Sequence, residues 1–193
     1  MKKVIAIILV CLTLYATALA EPGKGGKSGG MDMLNEGIAY LNGDGVEQDY
    51  ERGMQIFQSA QEAGNKKAAR YIGLMLEQGL GVEQDYEAAA TCYAQGVEAG
   101  DLTSGYYLGL LYKQGLGVEQ DYAKAAELFA SVAGSDNKSA TGVVAAGYEL
   151  GQLYEQGLGV EQDMEKAIAL YEEEAEYGDE DSVAALERVQ TAR

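Results

Sequence analysis

The sequence predicts an all-α fold, a solenoid of antiparallel helix pairs, from three observations. A short motif returns at a near-constant interval, apolar residues within each interval are spaced as on a helix, and glycines stand where each helix has to end. The motif is Gly-Val-Glu-Gln-Asp, at residues 45–49, 81–85, 117–121 and 159–163, with offsets of 36, 36 and 42. A period of that length means one supersecondary unit copied in tandem. A hydrophobic content of 47% with a single proline suits a folded helical chain of 193 residues.

The first helix of each unit, helix A, is read from Ile72, Met75 and Leu76, from Leu108, Leu111 and Tyr112, and from Leu150, Leu153 and Tyr154. These sets recur at one face of a 3.6-residue period. The small residues Ala68, Ser104 and Ala146 stand four positions earlier on the same face. Helix A stops at Gly43, Gly79, Gly115 or Gly157, where a residue without Cβ can take the left-handed conformation. A second glycine two positions later lets the chain turn, and Val46, Val82, Val118 or Val160 then offers an apolar plug to the core. Asp49, Asp85, Asp121 and Asp163 are placed to cap helix B by accepting its free backbone N–H groups.

Helix B carries Ile56 and Phe57, Cys92 and Tyr93, Leu128 and Phe129, or Leu170 and Tyr171 on its apolar side, and closes near Gly64, Gly100, residues 134–136 and Gly178. Neither helix of such a pair can bury its faces alone, so stacking with neighbouring units supplies the core. At the two ends, Asp32 and Glu36 replace apolar residues of the first helix A, and Glu187 and Gln190 replace core residues in a final helix at 181–192. Polar substitution of core positions is what terminal capping units require.

The pattern Ala-x-x-x-Leu-Gly-x-x-Tyr-x-x-Gly-x-Gly-Val-x-x-Asp-x-x-Lys-Ala, met at every position by residues 146–167, resembles the Sel1-like repeat, a relative of the tetratricopeptide repeat. The resemblance covers residues 32–186 and implies a right-handed α-solenoid of four repeats plus a C-terminal capping helix. It places a family glycine at Gly73, Gly109 and Gly151, with close helix approach as its physical role. Ala88 departs from the family lysine, and Gly53 stands where alanine is expected.

Ahead of the repeats, residues 1–20 read as a secretory signal peptide: Lys2 and Lys3 begin it, Val4 to Tyr15 form the apolar stretch, and Ala18-Leu19-Ala20 is the small-residue cleavage site. Residues 21–30 offer nothing apolar to bury and read as a flexible Gly-rich linker, leaving 31–193 as the repeat domain. The chain is therefore expected to be exported, periplasmic or secreted, with no stable membrane insertion after cleavage. Removing Lys2 and Lys3 from the 14 basic residues leaves 12 against 31 acidic ones, a net charge of −19 that repels nucleic acid and anionic lipid. Cys92 alone remains of the two cysteines, so no internal disulfide can form, and it reads as a buried small hydrophobe.

Histidine and tryptophan are absent, removing the commonest general base and metal ligand. No nucleophile with an activating base and no pair of carboxylates in distinct environments stands outside the repeated framework. The expectation is a protein that is not an enzyme, with no catalytic, cofactor-binding or metal-binding residues. The acidic run Glu172, Glu173, Glu174, Glu176, Asp179, Glu180 and Asp181 lacks the spacing of a calcium loop and reads as a solvated helix end.

Binding is better supported. Opposite the core face of helix A stand Arg70, Tyr106 and Tyr148, and one turn on Leu74, Leu110 and Gln152. If the solenoid curves as related repeats do, these six line its concave side, and Tyr and Arg are the types enriched at binding hot spots. The competing role is packing between repeats. The resemblance implies a scaffold for a protein or peptide partner, which the charge favours as basic. It also implies an alternative, since the Helicobacter cysteine-rich members of the family have been assigned cell-wall-related hydrolase or penicillin-binding activity. Those proteins pair cysteines within each repeat, and this chain has none to pair. Six extra residues between Phe129 and Ala146 are expected to form a protruding loop with a ragged helical turn around Val143. Such an insertion is a candidate partner contact whose deletion, residues 136–141, restores the period and leaves the fold intact.

Overall fold

The computed structural model describes residues 29–138 and 142–191, so the stretch read as a signal peptide and most of that read as a linker lie outside the described residues. These form nine helices and no strand: α1 (Gly29–Asn42), α2 (Tyr50–Glu62), α3 (Ala68–Gln78), α4 (Tyr86–Glu98), α5 (Leu102–Gln114), α6 (Tyr122–Ala133), α7 (Val143–Gln156), α8 (Met164–Glu176) and α9 (Glu180–Thr191). The odd-numbered helices up to α7 are the A helices and the even-numbered ones the B helices. Each helix packs on its neighbours in sequence, and α9 closes against α8. Helix α1 takes in Gly29 and Gly30, which composition assigns to the linker.

The ends of the helices follow from local chemistry. Asp49, Asp85, Asp121 and Asp163 hold extended backbones, and each carboxylate accepts the N–H three residues on at 2.9–3.0 Å. Gly79, Gly115 and Gly157 are left-handed and return their N–H to Met75, Leu111 and Leu153. The glutamine of the motif has a role that its recurrence alone does not reveal. The side chains of Gln48, Gln84, Gln120 and Gln162 donate to the carbonyls of Leu41, Glu77, Lys113 and Glu155, taking up an orphan acceptor at the end of each A helix.

The second glycine of each turn does more than bend the chain. Gly117 and Gly159 lie directly on the backbone at Tyr86 and Tyr122, the first residues of the preceding B helices, where no Cβ fits. Gly81 approaches Tyr50 in the same way, whereas Gly45 has nothing within 4 Å. This corrects the reading of the valines as equivalent plugs. Val82, Val118 and Val160 are half-buried against the core, while Val46 is 38% exposed, because among the described residues no B helix lies beneath its turn.

Inside each pair an aromatic ring of helix B lies flat over a glycine of helix A: Phe57 over Gly37, Tyr93 over Gly73, Phe129 over Gly109 and Tyr171 over Gly151. A Cβ added to any of these glycines would stand 2.5–2.7 Å from the ring. All four rings are fully buried. Close approach is thus ring on backbone, and it fixes the spacing of the two helices. Asp32, Glu36, Glu187 and Gln190 are exposed, as capping units require.

Residues 139–141 of the insertion, expected to protrude, lie outside the described residues. Helix α7 begins at Val143 after Gly142 at φ 87, and Val143 is helical and fully buried where the equivalent residue of the third repeat is the capping Asp101. Lys138 is anchored rather than protruding: its ammonium donates to the Ala133 carbonyl at 3.0 Å and pairs with Glu173 and Glu174 of α8 at 2.8 and 3.1 Å. Deleting residues 136–141 would remove that anchor together with the insertion. Glu174, read as solvated with the rest of its acidic run, is fully buried, because it occupies the core position held by Ala60, Gly96 and Val132 in the other B helices.

Candidate functional site

The half-exposed edge of each A helix is set by the two packed sides that flank it. In α3 it runs through Tyr71, Leu74 and the exposed Gln78, and in α5 through Tyr107, Leu110 and the exposed Gln114. In α7 the same positions hold Glu149, Gln152 and the exposed Gln156. The stripe is apolar and aromatic in the second and third repeats and polar in the fourth.

The six residues singled out from sequence fall into two groups. Arg70 is 9% exposed, pairs with Asp101 at 3.3 Å and lies 4.9 Å over the Tyr71 ring. Asp101 also caps α5 by accepting from the Ser104 N–H at 3.1 Å, so this ion pair ties α3 to the start of the next A helix. Tyr106 leans on Phe129 and Tyr107, and burial pushes its hydroxyl up to about 12. Leu110 packs against the third-to-fourth repeat core, and Leu74 lines a shallow cleft with Leu41, Tyr50 and Leu80.

Tyr148 and Gln152 belong to one network. Gln152 donates to the Tyr148 hydroxyl at 2.7 Å and accepts from Lys113 at 2.8 Å, and Lys113 also pairs with Glu149. Sequence spacing missed Tyr71, Tyr107, Lys113 and Glu149. Tyr71, Tyr107 and Glu149 each follow a chosen residue, and one residue turns a helix by about 100°, which is enough to exchange a flank for the exposed edge. Tyr71 stacks on Phe57 at 4.9 Å and Tyr107 on Tyr93 at 5.3 Å, so the outward rings continue the buried ones from repeat to repeat.

Neighbouring carboxylates are committed elsewhere. Glu155 accepts from Tyr171 at 2.9 Å and from both guanidinium nitrogens of Arg188, which hold it below the usual carboxylate range. Asp121 and Asp163 are lowered chiefly by the backbone N–H groups they cap. Among the described residues no three His, Cys, Asp or Glu side chains come together to hold a metal ion, and no helix is long and apolar enough to cross a membrane.

Comparison with known proteins agrees with this geometry. The Sel1 repeat family model matches residues 33–65, 66–101, 106–133 and 144–176. Among solved structures, a protective antigen of uropathogenic Escherichia coli displaying an SLR fold is 29% identical with a TM-score of 0.72, over 81% of this chain and 32% of that one. A Sel1 repeat protein from Oxalobacter formigenes is 28% identical with a TM-score of 0.69, over 79% of this chain and 60% of the other. The chain thus spans about a third of the first and three fifths of the second. No curated protein sequence matches. A repeat signature over most of the described residues, together with capped helix pairs stacked through ring-on-glycine contacts, shows that the chain belongs to the Sel1 repeat family, whose members are typically protein–protein interaction scaffolds.

Proposed function

We propose that the chain is an exported scaffold of the cell envelope that holds a protein or peptide partner along the edge of its A helices. The observation that carries the reading is the half-exposed run of Tyr71, Leu74, Tyr107 and Leu110, large side chains presented in register by two successive repeats. Aromatic anchors on a rigid helical frame bind at low entropic cost. The net charge favours a basic partner, and Glu149 with Lys113 supplies a polar continuation at one end of the stripe. Export rests on Lys2, Lys3, the apolar stretch and the Ala18-Leu19-Ala20 site, and the mass of the purified protein is expected to begin at Glu21.

Photo-crosslinking tests the site. A crosslinker at position 107 is expected to capture a partner from envelope extracts, and one at Glu127, on the exposed side of α6, is not. Replacing Leu74 and Leu110 together by alanine, which suits a helix and buries no charge, should sharply reduce capture while helical circular dichroism is unchanged. Equal capture from both positions overturns the assignment.

A further inference from the structure

A second site lies away from this stripe, between the B helices of the third and fourth repeats. Lys138 enters a shallow cleft walled by Leu150, Leu170 and Tyr177. There its ammonium meets four partners of the kinds that recognise a cation. It donates to the Ala133 carbonyl at the end of α6, pairs with Glu173 and Glu174, and lies 5.6 Å from the centre of the Tyr177 ring. A helix C-terminus, two carboxylates and an aromatic face are each favourable to a positive charge.

The fit is incomplete. Among the described residues, the second carboxylate oxygen of the fully buried Glu174 has no hydrogen-bond partner, and neither has the hydroxyl of the buried Ser182 on α9. Buried polar groups left unpaired are costly, and a fold with Ala60, Gly96 and Val132 at the matching positions has no structural need of a carboxylate there. Glu174 and Lys138 are also both peculiar to this junction. One fills a core position with charge, and the other belongs to the only stretch that breaks the 36-residue period.

We infer that this cleft is a binding site for a primary ammonium group presented by a partner, held in the free protein by Lys138 acting as its own occupant. Tyr177 is 57% exposed and the Glu173 side chain 52%, so the outer half of the site is open to an incoming chain. A tethered occupant competes at high effective concentration, so a free amine is expected to bind weakly until Lys138 is removed. The site is independent of the A-helix stripe, and its test does not use the partner sought there.

The experiment compares the wild-type protein, K138A and K138A/E174Q by thermal unfolding in n-butylammonium, with n-butanol as the neutral control. The ammonium is expected to raise the unfolding temperature of K138A in a saturable way and to leave the other two proteins unchanged. Should K138A be unfolded without amine, the same titration is read as recovery of helical circular dichroism. No response in K138A, or an equal response in K138A/E174Q, overturns the site. Titrating K138A with acetyl-Gly-Lys-Gly-amide and with putrescine then separates a lysine side chain, the expected ligand, from a free diamine. Tighter binding of putrescine overturns the assignment to a partner protein.

Discussion

Tyr93 of α4 donates its phenolic hydrogen to the Glu77 carboxylate of α3, and Tyr171 of α8 does the same to Glu155 of α7. Where the ring lacks the hydroxyl, the acid is absent as well: Phe57 is matched with Leu41, and Phe129 with Lys113. The pairing follows from burial, which raises both phenols and makes each a donor throughout the working pH range. Tyr93→Phe should destabilise the protein by about 2 kcal/mol, the scale of a hydrogen bond to a charged acceptor. Tyr171→Phe should cost less, because Glu155 keeps Arg188. Urea unfolding of the two variants checks the order, and equal losses would remove the role given to Arg188.

Helix propensity alone favours replacing a mid-helix glycine by alanine, by about 1 kcal/mol. The ring over Gly109 reverses the sign. Gly109→Ala should be net destabilising by roughly 1–3 kcal/mol, the cost of overpacking a core that cannot give way. If the melting temperature rises instead, Phe129 moves aside freely and the helix spacing is not set by this contact.

At the Lys138 anchor, Lys138→Met leaves the buried Glu174 carboxylate without its cation and should cost on the order of 3 kcal/mol. The double change Lys138→Met with Glu174→Val restores the apolar character seen at Val132 and is expected to recover most of that loss. Failure to recover would mean that the valine cannot fill the space over Gly147 that the glutamate occupies.

Acid acts in opposite directions on two kinds of carboxylate. Asp121 and Asp163 lie below their ordinary value of 3.8, so their stabilisation is present above that pH and is lost as the pH falls through their native values. Glu174 is raised above its ordinary value of 4.5, chiefly by burial and also by Glu173 and Asp179, with Lys138 opposing. The native state therefore holds its proton longer than the unfolded chain. The contribution of Glu174 to stability is full below 4.5 and is lost as the pH rises through the native value. The stability of wild type relative to E174Q should accordingly improve as the pH is lowered from 7 toward 4.5. A difference that stays flat across that range would contradict the burial of a titrating carboxylate.

Much of the fold was legible because it is written locally. An Asp three residues ahead of a free N–H, a glycine at a helix end and an apolar face of period 3.6 all act within one or two turns of chain, and the repeat shows each of them four times. The hooks from Gln48, Gln84, Gln120 and Gln162 span seven residues and were readable only as part of a turn. The Lys138–Glu174 pair spans 36 residues and joins an insertion to a position that looks like one more member of an acidic run. Only alignment of Glu174 with Val132 could have signalled it. On the A-helix edge, spacing found the right helices and turns but mixed the exposed edge with its flanks. Arg70 and Tyr106 are half spent on packing, and Tyr71 and Tyr107 present the rings.

The joints of the array are made of different materials. Phe57 with Tyr71 and Tyr93 with Tyr107 close the first two by ring stacking, whereas at the third the place of the outward tyrosine is taken by Glu149, clasped by Lys113. Dissolved salt screens exposed charges far more than partly buried ones, and the Lys113 and Glu149 side chains are only 24% and 15% exposed. The clasp is thus sheltered from dissolved ions, and it sits beside the apolar contacts of Phe129, Val132, Val143 and Leu150 that hold the third joint together, so the change of material re-letters the edge of the array and leaves its frame alone.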